Sequence, residues 1–195
     1  MKRNLAILGA LLATHLAFGQ GTFVYDQRTA NPLLDAATGN WFAPWPVQSF
    51  TPSLNGIGFV ELLGDHVSPT TQLAVNLRAN SPDGTILGTT STLTIPRGTN
   101  YTGILSFLFP AEIPLVPGDV YYMEPFVVKP SSWGIGFWIF CASVNYPGGR
   151  LYFPGDPLRL GGDIWFREGI VVPEPGTMAL VLSGASCFMW RYRRC

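Results

Sequence analysis

Between Thr22 and Glu168 the chain is a succession of short segments rich in Val, Ile, Phe, Tyr, Thr and Leu, divided by turns of Gly, Pro, Asn and Asp. No segment sustains an apolar period near 3.6 residues, so helix is a minor component of the body and strand the major one. The expected strands are Thr22 to Tyr25, Gln48 to Thr51, Ile57 to Leu63, Thr71 to Arg78, Ile86 to Thr94, Tyr101 to Phe109, Val120 to Val128, Gly136 to Ala142 and Ile164 to Glu168. Turn signals at such short intervals predict an all-β fold, a two-sheet antiparallel β-sandwich of jelly-roll type.

Local chemistry sharpens this reading. In Ser81-Pro82-Asp83-Gly84, proline presets φ and glycine admits positive φ, so the flanking strands should fold back on one another. Val116-Pro117-Gly118-Asp119 should do the same ahead of Val120. Leu73, Val75 and Leu77 alternate with Gln72, Asn76 and Arg78, the mark of a strand with one wet face. Ile104 to Phe109 is almost wholly apolar and is expected to be central, covered on both sides. Asp26 to Pro46, with Pro32, Pro44, Pro46, Gly39, Trp41 and Trp45, reads as a long loop.

The two ends have a different character. Met1-Lys2-Arg3, the apolar stretch Leu5 to Leu12 and the small residues of Ala17-Phe18-Gly19 form a secretory signal peptide over 1–19, with cleavage expected after Gly19. That stretch is far shorter than the roughly 20 residues of a spanning helix. At the other end, Val172-Pro173-Glu174-Pro175-Gly176 leads into an apolar run from Thr177 to Trp190 and then Arg191-Tyr192-Arg193-Arg194. As a helix the run would be about 21 Å long against a hydrocarbon core of about 30 Å, which suits a short, processed membrane segment. The basic stop, Arg191, Arg193 and Arg194, should remain cytoplasmic, which places the body across the membrane. The organisation expected is therefore a signal peptide (1–19), an irregular segment (20–47), the sandwich (48–170) and a sorting signal (171–195).

This order of Pro-Glu-Pro, apolar helix and arginines resembles the PEP-CTERM signal of bacterial proteins exported through an exosortase. The resemblance implies that Pro173, Glu174 and Pro175 are recognised by an exosortase-type processing enzyme, with the membrane as partner of the tail before processing. The body resembles exported β-sandwich domains akin to the jelly rolls of carbohydrate-binding modules. The likeness lies in Gln48-Ser49-Phe50-Thr51-Pro52 before Ile57-Gly58-Phe59-Val60, in Leu73-Ala74-Val75-Asn76-Leu77-Arg78 with Ile86-Leu87-Gly88, in Leu115-Val116-Pro117-Gly118-Asp119-Val120-Tyr121-Tyr122 and in Ile164-Trp165-Phe166-Arg167. These are turn and core residues, so they imply fold and leave chemistry open.

Composition excludes several functions. Residues 20–172 hold seven basic and eleven acidic residues, a net charge of −4, without a basic cluster for nucleic acid or anionic lipid. Cys141 is the single cysteine of the body, with Cys187 and Cys195 in the tail, so the mature domain forms no internal disulfide. Its apolar neighbours, Phe137 to Ala142, favour a buried inert thiol. About 150 residues suffice for one core without staples.

No catalytic constellation emerges. His66 is the one histidine of the mature chain and stands beside Asp65 in an expected loop; phosphate-loop, nucleophile-elbow and zinc patterns are missing from the sequence. Glu61 and Glu124 fall in strands, while Asp83, Asp119, Asp156 and Asp163 fall in expected turns, where aspartates usually cap their own backbone. No cofactor is expected, although turn aspartates leave room for a structural calcium. Among the aromatics, Trp45, Trp133, Tyr146 and Tyr152 are the candidate glycan contacts, with Trp45, Tyr146 and Tyr152 expected to be exposed. The leading expectation is an exported envelope or extracellular-matrix protein with a non-catalytic sandwich, not an enzyme. The alternatives are a carbohydrate-binding module for extracellular polysaccharide and a hydrolase with a scattered site.

Overall fold

The computed structural model describes residues 21–29, 36–40, 46–98, 101–129, 137–141, 146–153 and 163–173. The chain divides into two units, Val24–Ile170 and one made of Met1–Phe23 with Val171–Cys195. The expected signal-peptide and tail helices lie outside the described residues. In chain order the described strands are β1 (Thr22–Arg28), β2 (Ala36–Asn40), β3 (Val47–Phe50), β4 (Gly56–Val67), β5 (Gln72–Ala79), β6 (Ile86–Thr89), β7 (Leu93–Thr94), β8 (Tyr101–Pro114), β9 (Tyr121–Lys129), β10 (Phe137–Cys141), β11 (Leu151–Tyr152), β12 (Asp163–Ile164) and β13 (Phe166–Val172).

They form two antiparallel sheets packed as a sandwich. The first runs β1-β13-β4-β10-β12, with β2 beside β10 and β8 beside β4; the second runs β11-β3-β9-β5-β6, with β7 beside β5. Strand periodicity of two decides which side chains meet between them. Val60 and Leu62 of β4, Leu105 and Phe107 of β8 and Phe166 of β13 face Phe50, Leu73, Val75, Leu77 and Met123 of the second sheet in one core. Burying each such side chain stabilises the fold by about 1.5–3 kcal/mol before entropy is counted.

The two sheets are also joined through a buried polar bridge. Gln48 of β3 points inward; its Nε2 donates to Asp163 Oδ1 of β12 at 2.8 Å and its Oε1 accepts from Ile164 N at 3.0 Å. Asp163 Oδ2 accepts from Tyr146 N at 2.5 Å, so both oxygens of this buried carboxyl are engaged. Burial raises the Asp163 carboxyl above the usual range, and the donors from Tyr146 and Gln48 oppose that rise.

Several expectations are met locally. The Ser81 to Gly84 turn closes with Gly84 N donating to Ser81 O, and β5 pairs antiparallel with β6. A Cβ at Gly84 would lie 1.9 Å from Ala79 O, so glycine is required there by space. Leu73, Val75 and Leu77 are buried while Gln72, Asn76 and Arg78 are partly exposed, as the alternation demands.

Others need correction. The Val116 to Asp119 turn forms, with Gly118 at φ 89°, but it carries the chain from the first sheet to the second. Ile104 and Leu108 are exposed: they alternate along β8 with the buried Leu105 and Phe107 and so point away from the core, to the outer face of the first sheet. An unbroken apolar run does not distinguish two covered faces from one. The region read as a loop from Asp26 to Pro46 includes the end of β1 and the whole of β2, whose register runs from Phe137↔Asn40 to Cys141↔Ala36. His66 lies within β4, where the register with β8 shifts between Gly64 and Val67, as a bulge does. Asp163, expected in a turn, is a buried strand residue. The side chains of His66 and Cys141 lie outside what is described.

Candidate functional site

The first candidate is the point where the body passes into the tail. β13 ends at Val172, and Pro173, lacking an N–H, cannot extend the ladder as a donor. Val172 and Pro173 are exposed. Gly21, just beyond the expected signal cleavage, lies so close that a Cβ there would be 2.6 Å from Val171 Cγ1 and 2.7 Å from Val172 O. The residues next to the two expected processing points therefore touch. Glu174, Pro175, Arg191, Arg193 and Arg194 lie outside the described residues.

The candidate glycan contacts separate into three cases. Trp45 and Trp133 lie outside the described residues. Tyr146 is 7 % exposed, which overturns its expected exposure. Its ring packs edge-on against Phe166, with centroids 5.1 Å apart, and its hydroxyl donates to Gln27 Oε1 at 3.0 Å and accepts from Thr51 N at 3.3 Å. Burial pushes its phenol up, which the hydrogen bond with Thr51 opposes and the nearby Glu168, Asp26 and Asp163 carboxylates reinforce. A Tyr-Pro-Gly-Gly run reads as a surface turn, and only the tertiary fold shows its first residue plugging the core.

Tyr152 is half-buried on the outward side of β11. It stacks edge-on with Tyr122 at 5.7 Å, its hydroxyl accepts from Arg150 Nε, and the Arg150 guanidinium lies 5.0 Å from its ring centre. This group opens a polar stripe across the outer face of the second sheet. Tyr122 of β9 stands opposite Arg78 of β5, and Glu124 stands opposite Asn76. Glu124 Oε2 accepts from Arg78 Nη2 at 2.7 Å, Arg78 Nε at 3.0 Å and Asn76 Nδ2 at 2.9 Å, while Thr89 Oγ1 of β6 donates to Asn76 Oδ1 at 2.7 Å. From β11 to β6 are four strand spacings of about 4.8 Å, or about 19 Å. Sequence alternation had exposed Asn76 and Arg78; the strand register adds Tyr122 and Glu124.

The outer face of the first sheet is more self-contained. Glu61 accepts from Tyr25 OH at 3.3 Å and Ser106 Oγ at 3.2 Å, with Arg167 Nη1 at 3.6 Å. The Arg167 guanidinium also lies 4.8 Å from the Trp165 ring centre and 5.5 Å from that of Tyr25. Glu61 and Glu124 thus lie on opposite outer faces of the sandwich and cannot flank one scissile bond. Among the described residues there is no group of three or more His, Cys, Asp or Glu side chains able to hold a metal ion.

One buried carboxyl is incompletely satisfied. Glu168 of β13 is fully buried; its Oε1 accepts from Gln27 N at 3.2 Å, whereas among the described residues Oε2 has no hydrogen-bond partner. Burial pushes it up to about 8, Asp26 adds to the rise, and the Gln27 amide opposes it.

No curated protein matches the chain. Residues 171–194, beginning in the last two residues of β13, match the family model of the PEP-CTERM protein-sorting motif. The chain therefore carries the sorting signal of exported proteins destined, by way of an exosortase, for the cell envelope or surface.

Proposed function

We propose that this is an envelope or extracellular-matrix protein whose non-catalytic β-sandwich is the passenger delivered by the tail. The sorting motif at 171–194 carries the reading. The polar groups of the body support it: Gln48, Asp163, Tyr146, Glu61 and Arg167 are each engaged in holding strands together. In this reading Pro173, Glu174 and Pro175 are recognised by the processing enzyme, and the short apolar run holds the precursor in the membrane until then. The test is fractionation of a host carrying an exosortase. The wild-type chain should mature, and the Glu174→Ala/Pro175→Ala variant should stay as a membrane-bound precursor; normal maturation of that variant would sink the proposal.

A second reading, binding of extracellular polysaccharide, draws on the stripe across the second sheet. Tyr152, backed by the buried Tyr122, offers aromatic surface, and Arg78, Glu124, Asn76 and Thr89 offer alternating donors and acceptors with opposed charges, which suits neutral hydroxyl groups. Retention of the sandwich on insoluble polysaccharide, and its loss in Tyr152→Ala, would support this reading. Equal retention of both proteins would remove it.

A further inference from the structure

We propose that Glu168 is a proton-operated latch on β13: with its proton the carboxyl stays sealed between β13 and β1, and without it the edge formed by these strands opens. The geometry sets up the conflict. Phe166 and Glu168 share the inward side of β13, while Arg167 points outward to Glu61 and therefore does not neutralise Glu168. Across β4 the register partner of Glu168 is Val60, an apolar core residue. Among the described residues Glu168 accepts from the Gln27 amide on the β1 side, and its buried Oε2 has no partner.

Among the described residues, the charged and titratable groups facing this site give no relief. Asp26 of β1 is held by Ser53 N at 2.7 Å and Leu54 N at 2.8 Å, which fixes a second negative charge nearby. Among the described residues the Tyr146 phenol also interacts with Glu168, and it supplies no cation. A carboxylate ion at this position would be desolvated, half-bonded and beside a like charge, whereas the neutral acid avoids the charge cost. The ion can be relieved by water, and water reaches it when β1 lifts from β13. Packing offers no slack for a smaller adjustment: a Cβ at Gly169 would lie 2.0 Å from Val24 O, so the two backbones are already in close approach.

The consequence is directional. The folded value lies above the unfolded one, so the acid form favours the closed edge at low pH, and closure weakens as pH rises from the ordinary 4.5 toward about 8. Within that window the opening constant should rise about tenfold per pH unit and then level off above it. Because β13 runs on into the motif that starts at residue 171, the proton would govern how firmly the chain before Pro173 is held.

Amide hydrogen exchange on the full chain, corrected for intrinsic exchange, tests this. Protection at Gln27 and Gly169 should fall with rising pH and stay below that at Val75 and Leu77 throughout, and Glu168→Gln should flatten that dependence. The same slope in Glu168→Gln, or none in the wild type, would overturn the latch. Carbon NMR of the wild-type Glu168 carboxyl gives an independent reading that needs no variant. A midpoint near the value of 8 supports the latch, and one near 4.5 refutes it.

Discussion

The sandwich and the tail use their polar residues in opposite ways. In the sandwich, Gln48, Asp163 and Tyr146 bond to one another's neighbourhood across both sheets and serve the fold. In the tail, Pro173-Glu174-Pro175 and the arginines form a linear signal that matches a sorting motif as sequence. A fold is encoded by many weak contacts between distant residues, whereas an address read by an enzyme is encoded by a few adjacent ones. Substitutions in the two regions should therefore fail in different assays.

The largest separation is expected for Glu174→Ala/Pro175→Ala: maturation is lost, and the denaturation midpoint of the purified body is unchanged. A matched loss of stability would break the comparison, since it would make the motif part of the fold. Asp163→Ala should do the reverse. It strips the acceptor from Gln48 Nε2 and Tyr146 N inside the core and should cost about 2–4 kcal/mol in a denaturant titration, leaving the motif intact.

pH provides a milder probe of the body. Asp163 and Glu168 both have folded values raised by burial. Their neutral forms favour the native state, so stability should be higher at mildly acidic pH and should decline as pH rises through the folded values, with Glu168 extending the decline to about 8. Denaturant midpoints measured across that range check the sign, and a rise with pH would contradict it. The smallest effect is expected for Tyr146→Phe, which keeps the ring against Phe166 but removes the hydroxyl bonds, at about 1 kcal/mol.

How much of this was legible follows from the range of the interactions. The turn at Ser81 to Gly84 and the alternation of Leu73, Val75 and Leu77 depend on neighbours in sequence and could be read directly. β2, Ala-Ala-Thr-Gly-Asn, has Thr38 as its one β-former and exists through its pairing with β10, so little in its local sequence announced it. The exposure of Ile104 and Leu108 follows from the second sheet covering only the face of β8 that carries Leu105 and Phe107. The bridge from Gln48 to Asp163 joins residues 115 positions apart, and the stripe through Tyr122 and Glu124 needed the register of five strands. Of the four aromatic candidates, Tyr152 is found on an outer face and Tyr146 in the core. The sorting signal was the most legible site because it is written as contiguous sequence.

Intact mass spectrometry of the protein recovered from the surface and the medium of a host with an exosortase tests the sorting account most directly. The account predicts a chain beginning near Gln20 and ending near Pro173. Recovery of a membrane-bound chain that still carries Arg191 to Cys195 as the final product would contradict it.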